Sequence, residues 1–300
     1  MKSQGRYLAV AADLIVEEKV SVQRLFCLLV FIAAFSTFAM AQDLALPQTA
    51  LKDEASLAGA VPALAKQAIA VYQEPDRNRY LNTLFRLQTV AGQYTEAAAT
   101  LQSLKELRQA TDPDSVLPLL PFEVLAKARV KQATSGVSLD DAYRQEFREV
   151  FGRLDDRTAS EAFPWFAGDS NRARDDLRAA MAKQAGKDQI ALVDALTVIR
   201  LFHFYRDYQA WMPLSVVNIA EDDARRYVVD KEILVTCPDG ARIAAMMVRP
   251  RSAKAPLPAL LVFTIYADDG EYFQEARRMA ARGYAGVVAY TRGKGRSPDA

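Results

Sequence analysis

Near Arg226 the chain changes texture, and that change most limits what it can fold into. Of the 13 glycines, 7 lie in the first 225 residues and 6 in the last 75. Glycine weakens a helix interior, so the long glycine-poor stretch rich in Ala, Leu, Arg, Glu and Gln reads as helix after helix. Helices are predicted over 61–72, 77–91, 95–110, 122–133, 139–151, 171–185 and 188–208, separated by turn clusters such as Glu74-Pro75-Asp76 and Asp112-Pro113-Asp114. After Arg226 the periods change. Tyr227–Thr236 and Arg242–Pro250 read as two strands joined at Pro238-Asp239-Gly240. Pro258–Thr264 and Gly286–Tyr290 are continuous apolar runs of the kind buried in a parallel sheet, with an amphipathic helix over 271–282 between them, closed by Gly283. The predicted order is an α-helical N-terminal domain (57–215), then a β-hairpin followed by a parallel βαβ unit (225–300).

Ahead of the helices, Arg24 precedes the apolar run Leu25–Phe35, and Ala39-Met40-Ala41 supplies small residues at a cut before Gln42. That pattern predicts a secretory signal peptide over 1–41, with a linker over 42–56 and an exported, periplasmic or secreted product. The run is too short for a comfortable bilayer span, so no stable membrane span is expected after processing. The acidic residues Asp13, Glu17 and Glu18 are unusual ahead of such a signal and predict a true start nearer Val20 or Val22. Cleavage would remove four basic and three acidic residues and leave a neutral chain.

Charge and residue inventory exclude several functions. The 38 Lys and Arg residues face 37 Asp and Glu, so no basic surplus exists for nucleic acid. With only Cys27, Cys237 and His203, neither a disulfide scaffold nor a Cys/His zinc site can be built, and no cofactor is expected. His203 shares a helical stripe with Leu192, Leu196 and Ile199, where a histidine most often serves as a satisfied core residue. Residues 77–110, with Leu81, Leu84 and Leu87 before Ala91-Gly92-Gln93 and a small-residue helix after it, look like one tetratricopeptide-type hairpin. Stacked repeats need about three copies, and no second copy is present in the sequence, so a helical hairpin within a larger bundle is the simpler reading.

The last quarter resembles the start of the cocaine esterase/NonD and X-Pro dipeptidyl-peptidase group of α/β-hydrolases. The resemblance rests on the hairpin Glu232–Arg249 turning on Asp239-Gly240, the strand Leu260–Tyr266, the helix and turn Glu275–Tyr284, and the turn Thr291-Arg292-Gly293-Lys294-Gly295-Arg296-Ser297. Two positions depart from that pattern: Tyr290 stands where relatives usually carry aspartate, and Ile265 where they often have proline. The resemblance implies an acyl-enzyme mechanism on a small acyl ester, amide or peptide substrate, and it implies that the Tyr266 hydroxyl donates to the oxyanion. A phenol is protonated at neutral pH and can stabilise a developing alkoxide. The residues Asp268 and Asp269 are expected to cap the following helix, and Arg292 to tie its turn to backbone or a carboxylate.

Acyl transfer of this kind also needs a serine nucleophile, an acid and a histidine in that chain order. No G-x-S-x-G occurs in the sequence, and its one histidine precedes the sheet. The expectation is therefore the start of an α/β-hydrolase fold, truncated at 300 and inactive as this chain. The alternative is a non-catalytic exported protein that binds through its tetratricopeptide-like helices. The sequence leaves the oligomeric state open.

Overall fold

The structure is a computed structural model that describes residues 43–266 and 268–299. The signal peptide predicted over 1–41 lies outside the described residues. Leu44–Ala300 forms one compact unit, helical first and mixed afterwards.

The helical part comprises α1 (Glu54–Val71), α2 (Arg77–Val90), α3 (Tyr94–Gln109), α4 (Leu120–Ser135), α5 (Leu139–Val150), α6 (Asp156–Ala162), α7 (Ser170–Ala182) and α8 (Leu192–Arg226). Short polar caps start most of them. The carboxylates of Asp53, Asp76, Asp155 and Asp169 each accept a backbone N–H three residues on, satisfying donors that a helix start leaves orphaned. Gly92, at φ 79°, makes the left-handed turn between α2 and α3. The hairpin read from the sequence is therefore present, packed inside a larger bundle.

Helix α8 is the spine of the bundle. Its first half, with Ala195, Val198, Ile199 and Phe202, packs with Leu57, Val61 and Leu64 of α1 and Leu177 of α7. Its second half, with Trp211 and Ile219, packs with Phe85, Phe122, Tyr143 and Phe147. The predicted end at Tyr208 is wrong by 18 residues, because the helix runs through Pro213 to Arg226. Proline inside a helix costs about 3 kcal/mol. Here packing on both sides outweighs it: Trp211 is 1% exposed, and the Ser215 hydroxyl lies 2.8 Å from the Tyr143 hydroxyl.

Residues 43–56 of the linker expected over 42–56 are also structured. They hold strand β1 (Asp43–Ala45), a 3-10 turn over Gln48–Leu51 and the first turn of α1. β1 pairs with β2 (Gln189–Ala191), and Leu44, Leu46 and Ala50 are buried. Those three side chains complete the apolar cluster between α1, α7 and α8, which short-range polarity could not reveal.

After α8 the chain passes directly into β3 (Tyr227–Thr236), then β4 (Arg242–Pro250), β5 (Ala259–Thr264), α9 (Asp269–Ala280) and β6 (Ala285–Tyr290). The sheet order is β3-β4-β6-β5. β3 and β4 form an antiparallel hairpin, β4 runs antiparallel to β6, and β5 runs parallel to β6. The hairpin followed by a parallel βαβ unit is thus as predicted. α9 covers one face, where Ala276 and Ala280 meet Met246, Val248, Val288 and Tyr290. Gly286 permits this approach, since a Cβ there would lie 2.3 Å from the Ala276 carbonyl oxygen. On the edge strand β5, Leu261 and Phe263 are 64% and 58% exposed.

Candidate active site at the end of strand β5

β5 ends at Thr264, and Tyr266 follows in the connection to α9, at the same end of the sheet as the last residue of its parallel neighbour, Tyr290. The Tyr266 side chain is 69% exposed. Its backbone is held: the Tyr266 N–H donates to Thr264 Oγ1 at 3.0 Å, and that hydroxyl lies 2.7 Å from the Tyr272 hydroxyl. The side chain best able to stabilise charge in this loop therefore projects from a fixed stem.

Two carboxylates follow, with different partners. The Asp268 carboxylate caps α9, accepting from the Gly270 and Glu271 N–H groups at 2.9 Å each. The Asp269 carboxylate instead accepts a hydrogen bond from the Tyr290 hydroxyl and sits 3.4 Å from Arg296 Nε. Tyr290, which stands where aspartate is usual in the resemblance, is fully buried against the Tyr272 ring, with centroids 6.2 Å apart and planes at 81°. Burial first, and the bond to Asp269 second, push the Tyr290 phenol up to about 12. It stays protonated and joins the end of β6 to the first turn of α9.

The turn after β6 is braced on the hairpin. The Ser297 hydroxyl accepts from the Ala244 N–H at 2.9 Å and donates to the Tyr290 carbonyl at 3.1 Å. Arg292 pairs with Asp239 of the hairpin turn, and this contact holds the Asp239 carboxyl below its ordinary value. Arg242 pairs with Asp299 at 3.2 Å. Gly295 has φ 56°, and a Cβ there would meet the Tyr290 ring at 2.8 Å, so this glycine is needed for the turn to lie on the ring. The Gly293 N–H donates to the Asp299 carbonyl at 2.8 Å and closes the same turn.

Residues 239–298 match the family model of the X-Pro dipeptidyl-peptidase (S15 family). The S15 match runs from the hairpin turn through β4, β5, α9 and β6 to the Gly293/Gly295 turn, and takes in Tyr266 and Arg292. It covers a fifth of the 300-residue sequence and supports a hydrolase of that family. No curated protein and no solved structure matches the chain.

The structure does not bring His203 near this S15 segment. His203 is 1% exposed inside the helical bundle, stacked on Phe122 at 5.4 Å, as the core reading expected. Its Nε2 lies 3.1 Å from Asp207 Oδ2, and Nδ1 lies 3.3 Å from Arg86 Nη1. Sequence reasoning missed Arg86 and Asp207, although the four-residue spacing of His203 and Asp207 on one helix was a usable signal. No group of three or more His, Cys, Asp or Glu is placed to hold a metal ion among the described residues. No described helix is long and apolar enough to cross a membrane.

Proposed function

We propose that this chain is the N-terminal part of an exported serine hydrolase of the S15 type, acting on acyl esters, amides or peptides through an acyl-enzyme. The observation that carries this reading is the position of Tyr266 in the loop between the third strand of the sheet and the helix after it, inside the matched segment. In α/β-hydrolases that loop supplies an oxyanion donor. Tyr266 offers a phenolic O–H there, on a backbone fixed by Thr264, and a donor so placed gains strength when water is excluded.

Two further features support a larger parent protein. The sequence contains no G-x-S-x-G, and its histidine is buried in the helical bundle and precedes the sheet in the chain. The exposed apolar side chains on β5 suit a strand that continues into more sheet, since an open apolar edge is a liability by itself. The serine, acid and base would then come from residues beyond 300, and this chain alone would not turn over substrate.

The test is to sequence the gene through and past codon 300, express the full reading frame, and assay an activated acyl ester and an X-Pro anilide. An elbow serine followed by an acid and a histidine, with kcat falling about 10²-fold in Tyr266→Phe, is the expected result. A stop at codon 300, or an unchanged kcat in Tyr266→Phe, would overturn the reading or the role of Tyr266 respectively.

A further inference from the structure

Where the helical bundle meets the sheet lies an open pocket of about 590 Å³, walled by α8, the 3-10 turn Phe163–Phe166, β3 and the first half of α9. Its α8 wall is a single stripe. Met212, Val216, Ile219, Ala220 and Ala224 follow the three- and four-residue spacing that puts side chains on one helix face. At a helical rise of about 1.5 Å per residue, the stripe from Met212 to Ala224 is about 18 Å long. Much of this lining is free apolar surface. Val216 is 70% exposed, and Val229 of β3 is 37% exposed. Phe163, Met212 and Phe273 are half-buried, the first two packed on the bundle core and the third on the sheet core.

Two charged side chains line the pocket among the described residues, and only one of them is free. The Asp223 carboxylate is buried and already accepts from Arg277 Nε at 2.6 Å, so that pair adds no net negative charge. Lys231 is exposed and makes no ion pair among the described residues, while its neighbour Glu232 lies 3.4 Å from Arg296. The Lys231 ammonium lies 5.3 Å from the centroid of the Phe273 ring, against the apolar lining. The pocket is therefore long, apolar and provided with a single unpaired positive charge.

We propose that this pocket binds a long-chain monocarboxylate of the fatty-acid class, its chain laid along the α8 stripe and its carboxylate paired with Lys231. The volume falls within the range of about 300–1,000 Å³ usual for small-molecule sites. The length of the stripe favours an extended chain over a compact ring, and the lone ammonium favours one negative charge over several. Most of the affinity comes from burying the chain, since each methylene removed from water is worth about fourfold, whereas an exposed ion pair adds less. Tyr266 does not line this pocket, so the assignment is independent of the hydrolase reading.

The test is calorimetric titration of the full chain with octanoate, decanoate and dodecanoate, beside dodecyltrimethylammonium, which has the same chain and the opposite charge. Saturable one-to-one binding of dodecanoate is expected, tightening about fourfold per methylene along the series. Dodecyltrimethylammonium should bind roughly fivefold more weakly, and Lys231→Glu should reverse that preference with the melting temperature unchanged. Val216→Asp, at an exposed position of the helix, should weaken dodecanoate about tenfold by setting a carboxylate against its chain. Absence of saturable dodecanoate binding, equal affinity along the series, a preference that survives Lys231→Glu, or unchanged affinity in Val216→Asp would each overturn the proposal. A dimer that Val216→Asp dissociates, without saturable dodecanoate binding, would give the pocket to a second copy of the chain and overturn it as well.

Discussion

Arg277 Nε donates to Asp223 Oδ1 at 2.6 Å, joining the helix over the sheet to the last turns of the long bundle helix. Arg277 is 1% exposed, and its guanidinium carbon lies 4.5 Å from the Phe163 ring centroid. Burial pushes the Asp223 carboxyl up even though Arg277 pulls it down, so desolvation outweighs the attraction at this pair. Replacing a buried ion pair by apolar side chains of similar size is often nearly neutral, whereas removing one partner alone is costly. Arg277→Met alone should destabilise the chain by about 3–5 kcal/mol, by stranding a buried carboxylate. The double variant Arg277→Met/Asp223→Leu should recover most of that loss. Urea unfolding of the two singles and the double measures the coupling, and a double variant as weak as the worse single would contradict it.

The His203–Asp207 pair predicts a cancellation. Burial holds His203 well below its ordinary value, helped by Arg86, and burial raises Asp207 to about 7. Between about pH 4 and 6.5 the unfolded chain carries a proton on the imidazole, whereas the folded chain carries it on the Asp207 carboxyl. The two contributions have opposite sign, so this pair leaves stability nearly flat with pH. Each single variant unmasks one arm. In Asp207→Asn only the depressed histidine remains, and stability should fall as pH drops through about 6.5. In His203→Gln only the raised carboxyl remains, and stability should fall as pH rises from about 4 towards 7. Slopes of the same sign in the two variants would refute a neutral His203 beside a protonated Asp207.

Two glycines should respond oppositely to alanine. Gly286→Ala forces a methyl onto the Ala276 carbonyl between β6 and α9, and overpacking of this kind costs about 1–3 kcal/mol or more. Gly59→Ala lies on the exposed side of α1 with open space around it and should stabilise by about 0.5–1 kcal/mol. Thermal melts of both variants beside the parent chain check the difference in sign.

Ser297→Ala removes the hydroxyl that bridges the hairpin strand β4 to the end of β6. The orphaned Ala244 N–H is buried, so the loss should be about 1–3 kcal/mol. Hydrogen exchange at the Ala244 amide should accelerate together with the fall in stability. An unchanged exchange rate would mean that the hydroxyl is not that amide's partner.

Much of this was readable from local pattern. The strands over 227–236 and 242–250, the turn at Asp239-Gly240 and the helix capped by Asp268 follow from period, turn residues and capping chemistry, all short-range. The pairing of Asp269 with Tyr290 was not readable. It joins residues 21 apart, and a tyrosine in place of aspartate gives no hint that its hydroxyl will reach an acid at the start of the preceding helix. The Arg86–His203–Asp207 chain was half readable, because the helical spacing announces two members while Arg86 comes from another helix 117 residues away.

The sequence by itself determined the order of elements, the hairpin and βαβ pattern, and the S15 resemblance that places Tyr266 after the third strand. Those depend on neighbours within a turn or a strand, where side-chain period and backbone preference act directly. Only the tertiary structure decided that α8 continues past Pro213, that residues 43–51 fold into the bundle, and that a guanidinium is buried without a carboxylate against it. In each case contacts between distant segments outweigh the local preference, and such contacts exist only once the chain has packed.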